Sequence, residues 1–302
     1  MHINDDFRSR IALGTVQLGM AYGIRNIHPQ PAPDECASIL DAAAESNIRT
    51  IDTAAIYGTS EARIGEYIRR HPGGSPFDIV TKIPPWNRLE RNTSLPNAVL
   101  AAVASSLERL GVPCCDAVLV HHAPDLLSSE GTKIWEGLVR CKEEGLVKRI
   151  GASTYDPETT SAVIERYPVE VVQIPFSIID RRHLESGVLS VLKTKGIEIH
   201  ARSVFLQGAL LARPGELPDV LRGLDSYLDV LREAAANAKL STAELCLGWV
   251  LGNGEIDKAV VGVHTARQLR EIASMNLPAD RPDANLPMCR DLQIIEPYRW
   301  KT

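Results

Sequence analysis

The segment RTIDTAAIYG, residues 49–58, closes a strand-like run on an acid, Asp52, and sets a phenol, Tyr57, five positions later. Further on, FDIVTKI carries Lys82 near its end, and DAVLVHH carries His121 with His122 behind it. Aspartate, tyrosine, lysine and histidine together can pass a proton to and from a substrate oxygen. A free phenol titrates at about 10, too high to exchange protons readily at neutrality. A lysine beside the hydroxyl favours the phenolate, and an aspartate keeps that lysine charged and oriented. An imidazole N–H orients a carbonyl and stabilises negative charge on its oxygen. None of these groups donates hydride, so a reduction requires a cofactor. Taken singly, each has a plainer reading as turn former, surface charge or hydrogen-bonded structural residue. Their convergence at the same end of consecutive strands argues for chemistry.

Eight short β-branched runs must position these side chains: residues 10–16, 48–54, 77–83, 116–122, 147–153, 169–175, 197–203 and 257–263. Segments of helical period lie between them, at 34–47, 60–70, 95–111, 132–145 and 241–251. Asp34 and Ser60 are expected as N-caps, and Gly111 and Gly145 as C-terminal stops. Several runs are apolar on both faces, as parallel strands covered by helices must be. The pattern predicts an α/β fold, a (β/α)8 TIM barrel in which a parallel eight-stranded barrel is ringed by helices, as a single domain over 1–302. The stretch 204–256 is long enough for more than one helix, an insertion in the seventh unit. A doubly wound sheet is the alternative, but LGTVQLGMAYG lacks the GxGxxG spacing expected after its first strand. In a barrel, chemistry sits at the C-terminal strand ends, which adds Ser153, Gln173, Arg202 and the segment VGVHTARQL to Asp52, Lys82 and His121.

In this order and spacing, DTAAIYG, TKI, VLVHH, GAST and VVQIPFS resemble the aldo-keto reductase superfamily, from ALGTVQLG near residue 12 to VGVHTARQL near residue 268. The resemblance implies a barrel that uses NADPH, or less often NADH, without a metal. It implies a catalytic tetrad of Asp52, Tyr57, Lys82 and His121, the last favoured over His122 by its place in the L-x-H strand ending. Contacts to the nicotinamide carboxamide would fall on Ser153, Thr154 (commonly Asn in the family) and Gln173. Thr15, Ser203, Val263, His264 and Gln268 would complete the cofactor shell. Arg202 stands where relatives usually stack an aromatic ring on the nicotinamide. It can stack there itself, bind an anionic group of cofactor or substrate, or form a salt bridge in the rim. His264, Gln268 and Ile272 occupy the positions where many relatives hold the 2′-phosphate and adenine, with Arg267 and Arg270 nearby, so the choice between NADPH and NADH stays open.

Tyr22, Trp86, His122, Phe205 and Trp300, with Met20 and Tyr298, are expected to shape a pocket for a small-molecule carbonyl substrate. Trp300 has a plainer reading as a pin for the tail. The LGTVQLGMAYGI opening resembles a bacterial branch often associated with surface-sugar and nucleotide-sugar pathways, which implies a sugar-derived carbonyl. With 33 basic and 38 acidic residues and a formal charge of −5, the chain offers no basic face, so neither nucleic acid nor membrane is an expected partner. No apolar run reaches spanning length and MHINDDFRSR lacks the features of a secretory signal, so a cytoplasmic protein is expected. Six cysteines without paired metal spacing read as reduced thiols, and the vicinal Cys114 and Cys115 read as neighbouring small residues in a turn, with a redox element as the alternative. No heptad run suggests more than a monomer or weak homo-oligomer. The function these features predict is NAD(P)H-dependent reduction of an aldehyde or ketone with Tyr57 as general acid. Alternatives are a non-redox lyase or epimerase using the Tyr57/Lys82 pair, and a cofactor-sensing binding protein.

Overall fold

In the computed structural model, which describes residues 7–24, 29–71, 73–90, 92–213, 215–278, 286 and 288–300, eight parallel strands pair in chain order and the last closes on the first. They are β1 (Ile11–Gly14), β2 (Thr50–Asp52), β3 (Asp78–Ile83), β4 (Cys115–Val120), β5 (Val147–Ser153), β6 (Val171–Pro175), β7 (Glu198–Arg202) and β8 (Lys258–Gly262). Each lies inside its predicted run except β4, which begins one residue before its run, at Cys115. The outer layer is formed by α1 (Pro33–Glu45), α2 (Ser60–Arg69), α3 (Leu95–Leu110), α4 (Gly131–Glu143), α5 (Pro157–Arg166), α6 (Val188–Thr194), α7 (Thr242–Leu251) and α8 (Ala266–Ala273). Between β7 and α7 come two short turns of 3-10 helix and the helix Asp225–Asn237, the expected insertion. Residues 1–6 of the segment read as lacking a signal lie outside the described residues. Among the described residues no helix is long and apolar enough to cross a membrane.

Gly111 and Gly145 end their helices with φ of 68° and 74°, as expected of left-handed caps. The two N-cap expectations are corrected. Pro33 occupies the first position of α1 and Asp34 lies within its first turn, where a carboxylate still favours the helix dipole. Ser60 is the first residue of α2 and fully buried; its hydroxyl donates to Thr15 and lies 3.0 Å from the Thr53 hydroxyl. It joins the β1 and β2 ends instead of capping a helix.

Strand residues two apart share a face, and this parity carries the site. Val80, Ala117, Leu119 and Val171 form an apolar cluster separate from the core between strands and helices. Two residues beyond Val80, Leu119 and Val171 stand Lys82, His121 and Gln173. The same step leads from Gly151 to Ser153 and from His200 to Arg202. At the other end of the barrel, Arg149 on β5 bridges Asp116 on β4 and Glu198 on β7, and the His200 ring nitrogen Nε2 is 2.7 Å from Glu198. Burial works to raise the Glu198 carboxyl, but the hydrogen bond and charge from His200, and then those of Arg149, outweigh it and bring the group down to about 2.

The Tyr57 turn rests on the short helix Val16–Gly19 that follows β1. A Cβ on Gly19 would lie 1.7 Å from the Tyr57 carbonyl oxygen, and Gly58, at φ 54°, would place one 2.2 Å from the Gly19 oxygen. Only two glycines allow so close a backbone approach. Gly19→Ala is therefore expected to displace the Tyr57 turn and to destabilise the chain by about 1–3 kcal/mol, measured by urea unfolding; wild-type stability would show that the loop yields freely.

A carboxyl held low when folded contributes stability above its unfolded value of about 4.3 and loses it as pH falls toward about 2. Glu198→Gln should cost about 1–2 kcal/mol at neutral pH, a figure reduced for partial exposure. The gap to wild type should narrow steadily through this acid window, and a pH-independent gap would contradict the linkage.

Candidate active site

Asp52 ends β2, and hydrogen bonds from three other strands or their extensions converge on it. Its carboxylate accepts 2.7 Å from Lys82 Nζ on β3 and 2.6 Å from the Gln173 amide nitrogen on β6. Its carbonyl accepts from the backbone N–H and hydroxyl of Thr15, just past β1, at 3.0 and 2.9 Å. Lys82 also donates 2.8 Å to the Thr53 carbonyl. Lys82 is 1% exposed and Asp52 3%, so this is a buried ion pair in which both carboxylate oxygens and two of the three ammonium N–H groups are hydrogen-bonded, the kind of satisfaction under which such a pair is tolerated. Burial presses the Lys82 ammonium below its ordinary value, while Asp52 opposes that shift.

Tyr57 and His121 stand over the pair. The Lys82 ammonium lies 5.2 Å from the centroid of the Tyr57 ring, and the Tyr57 and His121 rings meet edge-on, 5.6 Å apart and 83° between planes. The tetrad is thus brought together, and His121 is the histidine that faces it. The expected tuning of the phenol is corrected. Burial, followed by the negative charge of Asp52, pushes the Tyr57 hydroxyl well above an ordinary phenol, and the cation opposing the rise is Arg202. Two of the Lys82 N–H groups go to Asp52 and Thr53, and the ammonium makes no hydrogen bond to the phenol. Burial, with Lys82 and then Arg202 adding to it, drives the His121 imidazole down to about 3, so the ring is neutral. Its Nδ1 is buried and meets no described polar group.

The expected cofactor contacts divide. Ser153, 3% exposed at the end of β5, makes no side-chain hydrogen bond to a described residue. Gln173 has its nitrogen on Asp52. Thr154 is turned away: its hydroxyl pairs with Thr160 at 2.7 Å, and Thr160 continues to His183. Thr15 is fully buried with its hydroxyl on the Asp52 carbonyl, so its contribution is to β2 geometry. Val263 packs its side chain into the core. The Gln268 amide oxygen accepts from the His264 backbone N–H at 2.8 Å, folding Gln268 back over the start of α8. There the Ala266 N–H donates to Glu35 of α1 at 2.7 Å, and Thr265 caps with its side chain. Arg270 pairs with Glu45, while Arg267 is exposed beside Glu271.

Arg202 lies over the Tyr155 ring at 4.1 Å and donates 3.2 Å to the Thr154 carbonyl and 3.5 Å to the Ser203 hydroxyl. The rim salt bridge is not formed among the described residues. Ser203 itself has φ 61°, the left-handed region. Tyr155 meets Tyr298 edge-on at 4.8 Å, so the tail aromatic that reaches the mouth is Tyr298. The Trp300 indole donates to the Gln293 and Ile294 carbonyls and pins the tail, its plainer reading.

His122 is turned outward to Asp125 at 2.7 Å, and Asp125 also accepts from the Trp86 backbone N–H at 2.9 Å. That bridge ties the loops after β3 and β4. Phe205 leans on the core, and Gln207 reaches the Tyr22 hydroxyl at 3.0 Å across the mouth. Met20, Tyr22 and Tyr298 are exposed. Sequence reasoning missed Tyr155, Glu35 and Asp125. Tyr155 directly follows the GAST motif and Asp125 lies three residues past His122, but Glu35 gave no signal beyond a position in the first turn of a helix.

The chain was compared with known proteins. It is 25% identical to an NADH-specific methylglyoxal reductase of Escherichia coli, covering 83% of this chain and 86% of that one. It is 26% identical to an NADP(+) aldo-keto reductase of Schizosaccharomyces pombe, covering 89% and 84%. An aldo-keto reductase from Bacillus halodurans in its holo form shares the fold with a TM-score of 0.75 at 20% identity, covering 94% of this chain and 95% of that one. The family model described as "Aldo/keto reductase family" matches residues 10–284. The chain therefore belongs to the aldo/keto reductase family and is an oxidoreductase.

Proposed function

We propose that the protein reduces an aldehyde or ketone to an alcohol with a nicotinamide cofactor, Tyr57 giving the proton and His121 holding the carbonyl oxygen. The observation that carries this reading is the edge-on Tyr57–His121 pair above the Lys82–Asp52 ion pair. The residues present suit the nicotinamide end of the cofactor. Ser153 has an uncommitted hydroxyl, and Gln173, its nitrogen on Asp52, is left with a carbonyl that can accept from a carboxamide. When bound, the cofactor supplies the hydride.

Neutral His121 with an enclosed Nδ1 is left with Nε2 to meet the substrate, where an N–H donor stabilises charge developing on the carbonyl oxygen. Tyr57 holds its proton firmly in the resting site, which suits an acid and not a base. The alkoxide formed by reduction is more basic still and takes that proton. This supports the reductase reading over elimination or epimerisation, which needs a phenolate to abstract a proton.

The start of α8 supports NADH over NADPH. The Ala266 N–H that could meet a phosphate already meets the Glu35 carboxylate, and Arg270 is drawn away to Glu45. A 2′-phosphate brought there would face like charge. The names of the relatives carry both cofactors, so this preference rests on the chain's own residues.

Tyr57→Phe is expected to lower kcat by at least about 10²–10⁴-fold while NADH still quenches tryptophan fluorescence with near wild-type affinity. Turnover close to wild type would remove Tyr57 from the proton step. Because His121 is neutral above about 3, the pH profile of kcat/KM should show no inflection from an imidazole near about 6.5. An inflection there that disappears in His121→Gln would contradict a neutral ring. Glu35→Gln should shift the ratio of NADPH to NADH affinity toward NADPH by roughly fivefold or more, read by fluorescence titration; an unchanged ratio would place cofactor choice elsewhere.

A further inference from the structure

Most cations drawn into the body of the protein meet a carboxylate or, like Arg10 and Arg181, give their donors to backbone carbonyls away from the Tyr57–His121 pair; Arg202 stands at the C-terminal end of β7, where the site opens. Lys82 is paired with Asp52, Arg149 with Asp116 and Glu198, and Arg182 with Asp180 and Glu296. Half-buried Arg202 has no carboxylate partner among the described residues. A guanidinium withdrawn from water without an opposite charge is unfavourable unless a ligand supplies one. It is nevertheless held in place. Tyr155 lies under its plane at 4.1 Å, Tyr298 braces Tyr155, and the Thr154 carbonyl and Ser203 hydroxyl accept from its edge. Those contacts take one N–H from each terminal nitrogen and leave three of the five N–H donors for a ligand.

The group is aimed at the reacting end of the site. Its charge is felt by Tyr57, Tyr22 and His121, and also by Asp180 and His183, while Lys82, the other cation at these strand ends among the described residues, is sealed behind Asp52. With a neutral substrate, Arg202 would stand unscreened beside a nicotinamide that becomes cationic as the hydride leaves. With an anionic group on the guanidinium, that repulsion is offset and the carbonyl is anchored at a fixed distance from Tyr57.

We propose that Arg202 binds a carboxylate or phosphate carried by the carbonyl substrate, so that the natural substrates are acidic aldehydes or ketones. This rests on the reductase reading and names its substrate class. An anion on Arg202 also explains why a guanidinium, with its planar fork for carboxylate and phosphate, stands at the end of β7.

The test uses the full-length protein, wild type and Arg202→Met, with two matched pairs: succinic semialdehyde against butyraldehyde for carboxylate, and glyceraldehyde 3-phosphate against glyceraldehyde for phosphate. In wild type, kcat/KM should favour the anionic member of at least one pair by about tenfold to hundredfold, chiefly through KM. The favoured pair identifies the anion. In Arg202→Met the ratio should fall toward one, and Arg202→Lys should restore part of it. NADH affinity, read by fluorescence quenching, should move far less than the ratio.

Isothermal titration with succinate and with inorganic phosphate, with and without NADH, reads the anion site without turnover. Binding lost in Arg202→Met supports the proposal even if all four aldehydes are inert, an outcome that would count against the reductase reading alone. Absence of any preference in wild type, absence of anion binding, or a loss of NADH affinity matching the loss of the ratio would overturn it.

Discussion

A carboxylate enclosed among apolar strands must be neutralised and fully hydrogen-bonded, and the site is built around meeting that demand at Asp52. Lys82 supplies the charge, Gln173 the second donor, and Thr15 secures the backbone behind it. Removing one partner would leave the other charge stranded, which is far more destabilising than replacing both. Four strand ends, from β1, β2, β3 and β6, are thereby locked to one another. Tyr57 and His121 inherit their positions from that lock, one through the turn seated on Gly19 and the other through the parity of β4.

The electrostatics of the mouth follow from the same packing. Burial keeps both the phenol and the imidazole uncharged, so both present N–H and O–H donors without formal charge. The one cation of the tetrad faces inward, toward its carboxylate. Positive charge at the mouth comes instead from Arg202, held by Tyr155 and a carbonyl in place of an acid. On the proposed reading, a neutral donor pair with an oriented guanidinium beside it distinguishes substrates by their charge.

The barrel itself was legible because its signals are local and repeated. β-branched runs at regular spacing, helical periods between them and glycine stops left little freedom in chain order, and strand parity then brought Lys82, His121 and Gln173 to one end. Asp52, Lys82 and His121 were readable for the same reason, being tied to strand ends, and Tyr57 from its place in the DTAAIYG segment just past one. The hydroxyl-bearing residues were less legible. Thr15 and Thr154 sit at strand ends too, yet each turns to a neighbour, one to the Asp52 carbonyl and the other to Thr160. A short side chain with one O–H takes whichever acceptor the fold brings within reach, and sequence spacing does not state which.

The sequence by itself determined the strand and helix order, the end of the barrel where polar groups gather, and which residues are proposed to handle the proton, since these depend on periodicity and on residue chemistry. Only the tertiary structure decided which polar atoms remain open to a ligand. Thr154 turns to Thr160, Gln173 is half engaged by Asp52, Glu35 reaches α8 from 231 positions away, and Arg202 meets no acid among the described residues. Such outcomes depend on contacts between residues remote in the chain and on how deeply each group is withdrawn from water, and neither is encoded in any local stretch.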